Sequence, residues 1–179
     1  MADVRRLTPF EARELLSELA GVLVDCVMGG ASVSFMPPFG QSDAEEFFRK
    51  VAAGVEAGER ILLAAFAEGR LVGTVQILTA MPPNQPHRAE VSKLLVRRSA
   101  RGLGIGRRLM EEVEVQAASV GKTLLVLDTA TGDNAERLYE RLKWVKAGVI
   151  PDFALLPDGT WTDTTIFWKR LGSGRLVNE

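Results

Sequence analysis

Two runs of apolar, branched residues, Arg60 to Ala67 and Arg70 to Thr79, are separated only by Glu68-Gly69, a spacing that predicts a tight β-hairpin. Before them, Leu15, Leu16, Leu19, Leu23 and Val24 share one side of a helix over Glu11 to Met28. Pro9 suits the first turn of that helix, and Gly29-Gly30 ends it. Val4 to Leu7 reads as a short first strand, and Ala31 to Gln41 as a loop. Ser42 and Glu45 have the spacing of a capping box, with Ser42 as cap of a helix reaching about Glu56. Beyond the hairpin, Met81 to Pro86 is a loop and Arg88 to Val96 a strand. Ile105, Leu109, Val113 and Ala117 recur every four residues, giving the next helix, which reaches about Val120, an apolar face to lay on a sheet. Thr123 to Leu127 is a strand, Asp133 to Leu142 a short helix, and Val145 to Ile150 and Thr164 to Trp168 two last strands. This order predicts an α/β (α+β) fold, a mixed central sheet of about seven strands flanked by helices.

Composition narrows the picture without changing it. A chain of 179 residues with 46% hydrophobic and 25% charged positions reads as a single domain over 1–179, with 173–179 as a C-terminal tail. The net charge of -1 gives no general pull toward nucleic acid or an acidic membrane surface. The N-terminus lacks the apolar stretch of a signal peptide, and the longest apolar run falls far short of a bilayer span, so a cytoplasmic protein is expected. Cys26 is the only cysteine and His87 the only histidine, which argues against a disulfide and against a metal site built on those residues. Nothing in the sequence fixes the oligomeric state.

The chemistry-bearing stretch follows the Arg88 to Val96 strand. Gly102, Gly104 and Gly106 lie among Arg98, Arg101, Arg107 and Arg108, just before a helix. Glycines let successive N–H groups turn onto phosphate oxygens, and the first helical turn adds unpaired donors and the positive dipole end. The stretch therefore predicts a site for a polyphosphorylated ligand. A dinucleotide turn needs G-x-G-x-x-G, and counting from Gly102 places Arg107 where the third glycine belongs. Asp128, about twenty residues on, keeps that reading as a minor alternative. Gly121-Lys122-Thr123 mimics the end of a P-loop, but Gln116 replaces its first glycine and a strand follows.

Arg101-x-x-Gly104-x-Gly106 resembles the R/Q-x-x-G-x-G/A signature of the GNAT superfamily of acyl-CoA N-acyltransferases. Gly29 to Val33, Arg88 to Val91, Ser99 to Gly102, Leu127 to Thr129 and Pro157 to Gly159 are similar, in order and spacing, to the tabtoxin resistance protein branch of that superfamily. The resemblance covers about residues 20 to 170. It implies the GNAT fold and an enzyme that transfers acetyl from acetyl-CoA directly to the amine of a small molecule, the branch pointing to an amino-acid-like toxin or antibiotic. It further implies that the pantetheine arm lies along Leu94, Leu95 and Val96. The pyrophosphate falls on Arg101, Gly102, Leu103, Gly104, Ile105, Gly106 and Arg107, with Asn134 as a side-chain partner of the arm. Glu90 and Asp128 become the candidates for handling the amine proton. Tyr139, the only tyrosine, becomes the acid toward the departing thiolate, and Phe35 and Met36 wall the acceptor pocket. The residues themselves leave other readings open: Leu94 to Val96 as core, Asn134 and Asp128 as caps, Glu90 as a solvated strand-end charge. A protein or peptide acetyltransferase and a non-catalytic acyl-CoA sensor remain the alternatives. Cys26 lies in a helical pattern with no histidine paired to it, which makes it a poor covalent nucleophile.

Overall fold

The computed structural model describes residues 2–172, so the expected tail 173–179 lies outside the described residues. The chain runs β1 (Asp3–Arg6), α1 (Pro9–Glu14), α2 (Leu16–Met28), α3 (Gln41–Glu56), β2 (Arg60–Ala67), β3 (Arg70–Leu78), β4 (Arg88–Val96), a 3₁₀ turn (Arg98–Ala100), α4 (Ile105–Ser119), β5 (Leu124–Ala130), α5 (Asn134–Arg141), β6 (Val145–Leu155) and β7 (Trp161–Arg170). The strands form one sheet in the order β1-β2-β3-β4-β5-β7-β6. Of its pairings, β4 with β5 is parallel and the rest antiparallel.

Alternation along the strands divides the interior into two cores. On one face Leu63, Val75, Ala89, Val91, Leu125 and Leu127 are buried beneath Ile105, Leu109 and Val113 of α4 and Tyr139 of α5. On the other face Leu62, Ala64, Leu71 and Leu95 meet Leu19, Leu23, Phe48 and Val51 of α2 and α3. The apolar repeat read on α4 is the stripe that the structure buries, Ile105, Leu109, Val113 and Ala117. Glu68 and Gly69 both take positive φ, 50° and 74°, the conformation a two-residue hairpin turn requires.

Three local expectations are corrected. The helix read over Glu11 to Met28 is two helices, because Leu15 leaves helical dihedrals (φ -90°, ψ 12°). The N–H of Leu15 still reaches the Glu11 carbonyl, and that of Leu19 the Leu15 carbonyl, so the apolar side continues through the break. The cap of α3 is Gly40, two residues before Ser42. The Asp43 carboxylate accepts from the Gly40 N–H at 2.9 Å, while Glu45 accepts from Gln41 Nε2 at 3.1 Å. The last two strands run well past the expected segments. β6 is exposed over nearly its whole length, and a strand with no buried face leaves no alternation in the sequence.

Close approach fixes one glycine of the sheet. A Cβ on Gly73 would lie 2.9 Å from the Leu95 carbonyl oxygen and 3.2 Å from Leu109 Cδ1. Gly73→Ala is expected to lower stability by about 1–3 kcal/mol, the usual cost of overpacking, read as a lower denaturant midpoint at unchanged slope.

Candidate active site

The site begins where the sheet opens. β4 and β5 pair only through Arg88↔Leu124, Ala89↔Leu125 and Glu90↔Val126, and beyond that point the strands part. Opposite the opening β4 carries a bulge: Thr74↔Leu95 is followed by Gln76↔Ser92, so Lys93 and Leu94 together face Val75 alone. Lys93 takes φ 55°, the left-handed region. The extra residue inverts the side-chain alternation. Val91 belongs to the α4 core, yet so does Leu94, and Leu95 is buried on the α2–α3 side. The N–H of Arg97 donates to the Val72 carbonyl, which turns the backbone groups of Val96 toward the open edge. The side chains of Leu94, Leu95 and Val96 are core, and beyond Glu90 that edge of their strand pairs with no other strand among the described residues, a geometry open to an extended chain.

At the end of β4 the chain forms a glycine turn of the kind that can cradle an anion. Gly102 and Gly104 have φ 80° and 75°, and nothing stands within 4 Å of a Cβ built on either. What these glycines supply is left-handed backbone that an L side chain resists. Gly106 differs, since a Cβ there would lie 3.3 Å from Leu138 Cδ2, so it sets how closely α4 approaches α5. Gly104 caps α4 without a side-chain hydrogen bond, and no acid occupies the first turn. Among the described residues the N–H groups of Gly102 to Arg107 find no acceptor. This set of free donors at the positive end of a fifteen-residue helix fits a pyrophosphate. Leu103 is exposed and Ile105 buried, so each can contribute only backbone to an anion. The arginines are largely engaged elsewhere. Arg98 is held on Asp25 (backbone N–H 2.7 Å, Nε 3.0 Å), Arg107 Nε on Glu111 at 2.7 Å, and Arg101 Nε on the Val96 carbonyl at 3.3 Å. Cys26 is buried with its thiol on the same carbonyl at 3.5 Å, and burial pushes that thiol up.

The catalytic candidates approach the opening from both faces. Ala89, Val91, Leu125 and Leu127 point into the α4 core, so Glu90 and Asp128 point to the opposite face. Their partners differ. Arg88 Nη1 grips Glu90 at 2.7 Å, whereas Asp128, which lies inside β5 two residues short of its end, accepts among the described residues only from Thr164 Oγ1 at 3.3 Å. Tyr139 comes from the α4 side, with its ring buried against Trp144 and Phe167 at centroid distances of 6.0 and 5.7 Å. Burial first, then the charges of Asp133 and Asp128, raise its phenol far above the ordinary tyrosine range. Asn134 is exposed at the start of α5, and the cap there is Asp133, whose carboxylate accepts from the Asn134 N–H. The Asn134 side chain is thus free of the capping duty.

Phe35 and Met36 part company. Phe35 is fixed by Phe39 and Phe47, at 4.6 and 5.2 Å between ring centroids, while Met36 is exposed at the rim of an open hollow of about 680 Å³ that also includes Ser34, Pro38 and Arg49. Lys93, which no periodicity or motif marks, joins this loop to the sheet: its Nζ donates to Ser34 Oγ at 3.0 Å. Burial lowers the Lys93 amine, and the Asp128 charge partly restores it. Lys93 and the exposed Asp128 thus lie on the face of Glu90 near enough to feel each other's charge, without an ion pair between them.

The family model for the Acetyltransferase (GNAT) family matches residues 28–144. The chain belongs to this family and is an acetyltransferase; acetyl-CoA is the family's cosubstrate. The fold recurs in solved structures of low sequence identity. One, from Salmonella typhimurium, is described as an acetyltransferase and holds its cofactor acetyl-CoA. It is 17% identical, with a TM-score of 0.80 over 99% of this chain and 98% of that one. A ribosomal-protein-alanine N-acetyltransferase from Brucella melitensis is 23% identical, with a TM-score of 0.76 over 94% of this chain and 99% of its own. A protein described as a phosphinothricin N-acetyltransferase is 21% identical, with a TM-score of 0.78 over 96% and 99%. Among the described residues no helix is long and apolar enough to cross a membrane, and no group of three or more His, Cys, Asp or Glu converges as a metal site.

Proposed function

We propose that this acetyltransferase binds acetyl-CoA across the β4–β5 opening and a small-molecule amine on the Glu90–Asp128 face, and passes the acetyl group between them without a covalent enzyme intermediate. The observation that carries the reading is the opening itself, with a free strand edge and an anion cradle leading to it and titratable groups on either side. Bound acetyl-CoA supplies the activated acyl group as a thioester. Backbone N–H groups of Gly102 to Arg107 hold the pyrophosphate, and the edge of β4 from Leu94 to Val96 receives the pantetheine arm, with Asn134 reaching it from α5. An N–H of that edge polarises the thioester carbonyl. Asp128 takes the amine proton, being the less engaged of the two carboxylates, and Glu90, gripped by Arg88, orients the amine. Tyr139 faces the departing sulfur from the other side. Cys26 takes no part, since its thiol is buried and held protonated.

Phe35, fixed by Phe39 and Phe47, and the half-buried Lys93 narrow this face and favour a compact acceptor, in keeping with the likeness to the tabtoxin resistance branch. The neighbour described as a ribosomal-protein-alanine N-acetyltransferase keeps the peptide acceptor as the second reading, beside the phosphinothricin N-acetyltransferase that points to a small amine. Acetyl-CoA-dependent thiol release across amino acids, aminoglycosides, polyamines and short peptides separates the two. Turnover of one small amine supports the proposal; faster turnover of peptides than of every free amine overturns the small-molecule acceptor. With the best acceptor, Asp128→Asn should lower kcat by about 10²-fold or more, the scale of general base catalysis, and Glu90→Gln by less. The Asp128→Asn deficit should shrink as pH rises toward the acceptor's pKa and water supplies the neutral amine. An equal loss at every pH would make Asp128 a binding group.

A further inference from the structure

We propose that Lys93 is a site of self-acetylation, its Nζ taking the acetyl group from acetyl-CoA in the β4–β5 opening when no acceptor amine is present. The inference rests on the acetyl-CoA reading of the opening given above. Lys93 is the extra residue of the β4 bulge, on the same strand whose next residues offer the free edge. It holds a left-handed conformation that glycine would adopt without strain. The bulge turns it to the face of Glu90 and Asp128, where its partner is the Ser34 hydroxyl at 3.0 Å.

The other lysines are differently placed. Lys50, Lys146 and Lys169 are ion-paired with Glu46, Glu136 and Glu114. Lys122 Nζ is held by the Thr79 and Pro86 carbonyls, and Lys143 lies at the turn after α5. Lys93 alone is half-buried on the Glu90 and Asp128 face with a hydroxyl, not a carboxylate or a carbonyl, as its partner; burial shifts its amine toward the neutral form, and the exposed Asp128 carboxylate is near enough for its charge to act on it. A nucleophile fixed beside the thioester reacts at a high effective concentration.

The step forms an Nζ–C bond and breaks the thioester C–S bond. The proton lost by nitrogen passes to Asp128 and on to water, and the sulfur leaves as CoA thiolate, which water protonates. The product, an acetamide, removes the cation facing Asp128 and fills part of the acceptor face, so a chain modified there is a slower enzyme.

The test is to incubate the full chain with isotopically labelled acetyl-CoA and no acceptor, and to follow peptide masses after cleavage by a protease that does not cut at lysine. Lys93 should gain one acetyl group at least about tenfold faster than exposed Lys50, as proximity requires. Lys93→Arg, which keeps the charge, should remove that label. Gly104→Val should slow labelling of Lys93 and leave Lys50 unchanged. Calorimetry of acetyl-CoA binding separates the possible failures. Binding together with Lys93 labelling no faster than Lys50, or insensitive to Gly104→Val, overturns self-acetylation alone. No binding at all overturns both it and the proposed function. Labelled Lys93 with no acceptor turned over upholds self-acetylation and counts only against the small-molecule reading.

Discussion

Tyr139→Phe should lower kcat by about 10²–10³-fold, the cost of losing one hydrogen-bond donor aimed at developing charge, while the KM for acetyl-CoA stays within about twofold because no cradle contact changes. The size follows from the environment of the phenol. Burial and the charges of Asp133 and Asp128 hold it protonated well above the ordinary tyrosine range, and above the thiol range near 8.5. A donor so reluctant to ionise stabilises a departing thiolate by hydrogen bonding and does not surrender its proton outright. The sign for pH dependence is then fixed. A raised pKa keeps the donor form present through alkaline pH, so the rate should show no loss up to about pH 10 attributable to tyrosine ionisation. The phenylalanine variant keeps the ring between Trp144 and Phe167, and among the described residues the hydroxyl makes no hydrogen bond that folding would miss. Stability should therefore barely change, whereas Tyr139→Ala, which empties a core position, should cost about 3–5 kcal/mol. Single-turnover kinetics with acetyl-CoA checks the first number and thermal unfolding the second. Full activity in Tyr139→Phe would leave the tyrosine as a core residue only.

Wherever a strand or helix buries at least one face, its position is readable from the residues. The α4 stripe lies where its four-residue repeat places it, and the β2–β3 hairpin, buried on both faces, where its two continuous apolar runs do. Reading fails where the determining contact is distant or the face is open. β6 buries almost nothing, so its true length leaves no pattern. The choice between Gly40 and Ser42 as cap depends on which carboxylate, Asp43 or Glu45, turns back onto the chain. The site shows the same division. The glycine turn, Glu90, Asp128 and Tyr139 stand out as candidates because spacing and family likeness mark them. Lys93 is not, because a bulge is a mismatch between two strands and neither sequence segment declares it. Arg98 and Arg107 look like phosphate ligands from composition alone, and only the fold reveals that Asp25 and Glu111 already hold them.

Because those arginines are already paired, backbone N–H groups are expected to carry the proposed anion site. If side-chain charge dominated, removing an arginine would matter most; with Arg107 Nε bound to Glu111 at 2.7 Å, Arg107→Ala should change the acetyl-CoA dissociation constant by less than about threefold, the scale of an exposed ion pair. Gly104→Val should do far more. Gly104 sits at φ 75° as the cap of α4, where a β-branched residue is a genuine outlier and the left-handed conformation costs about 1–2 kcal/mol. The chain relieves that strain by turning the Gly102 to Gly104 segment away, and the first-turn N–H groups lose their common focus. Losing one charge-assisted hydrogen bond costs about 1.5–3 kcal/mol, so the dissociation constant should rise by about 10- to 100-fold, with the acceptor KM nearly unchanged. Titration calorimetry of acetyl-CoA against wild type, Gly104→Val and Arg107→Ala decides it. A larger loss in the arginine variant would mean that the Glu111 pair opens on binding and that the guanidinium, not the backbone, carries the pyrophosphate.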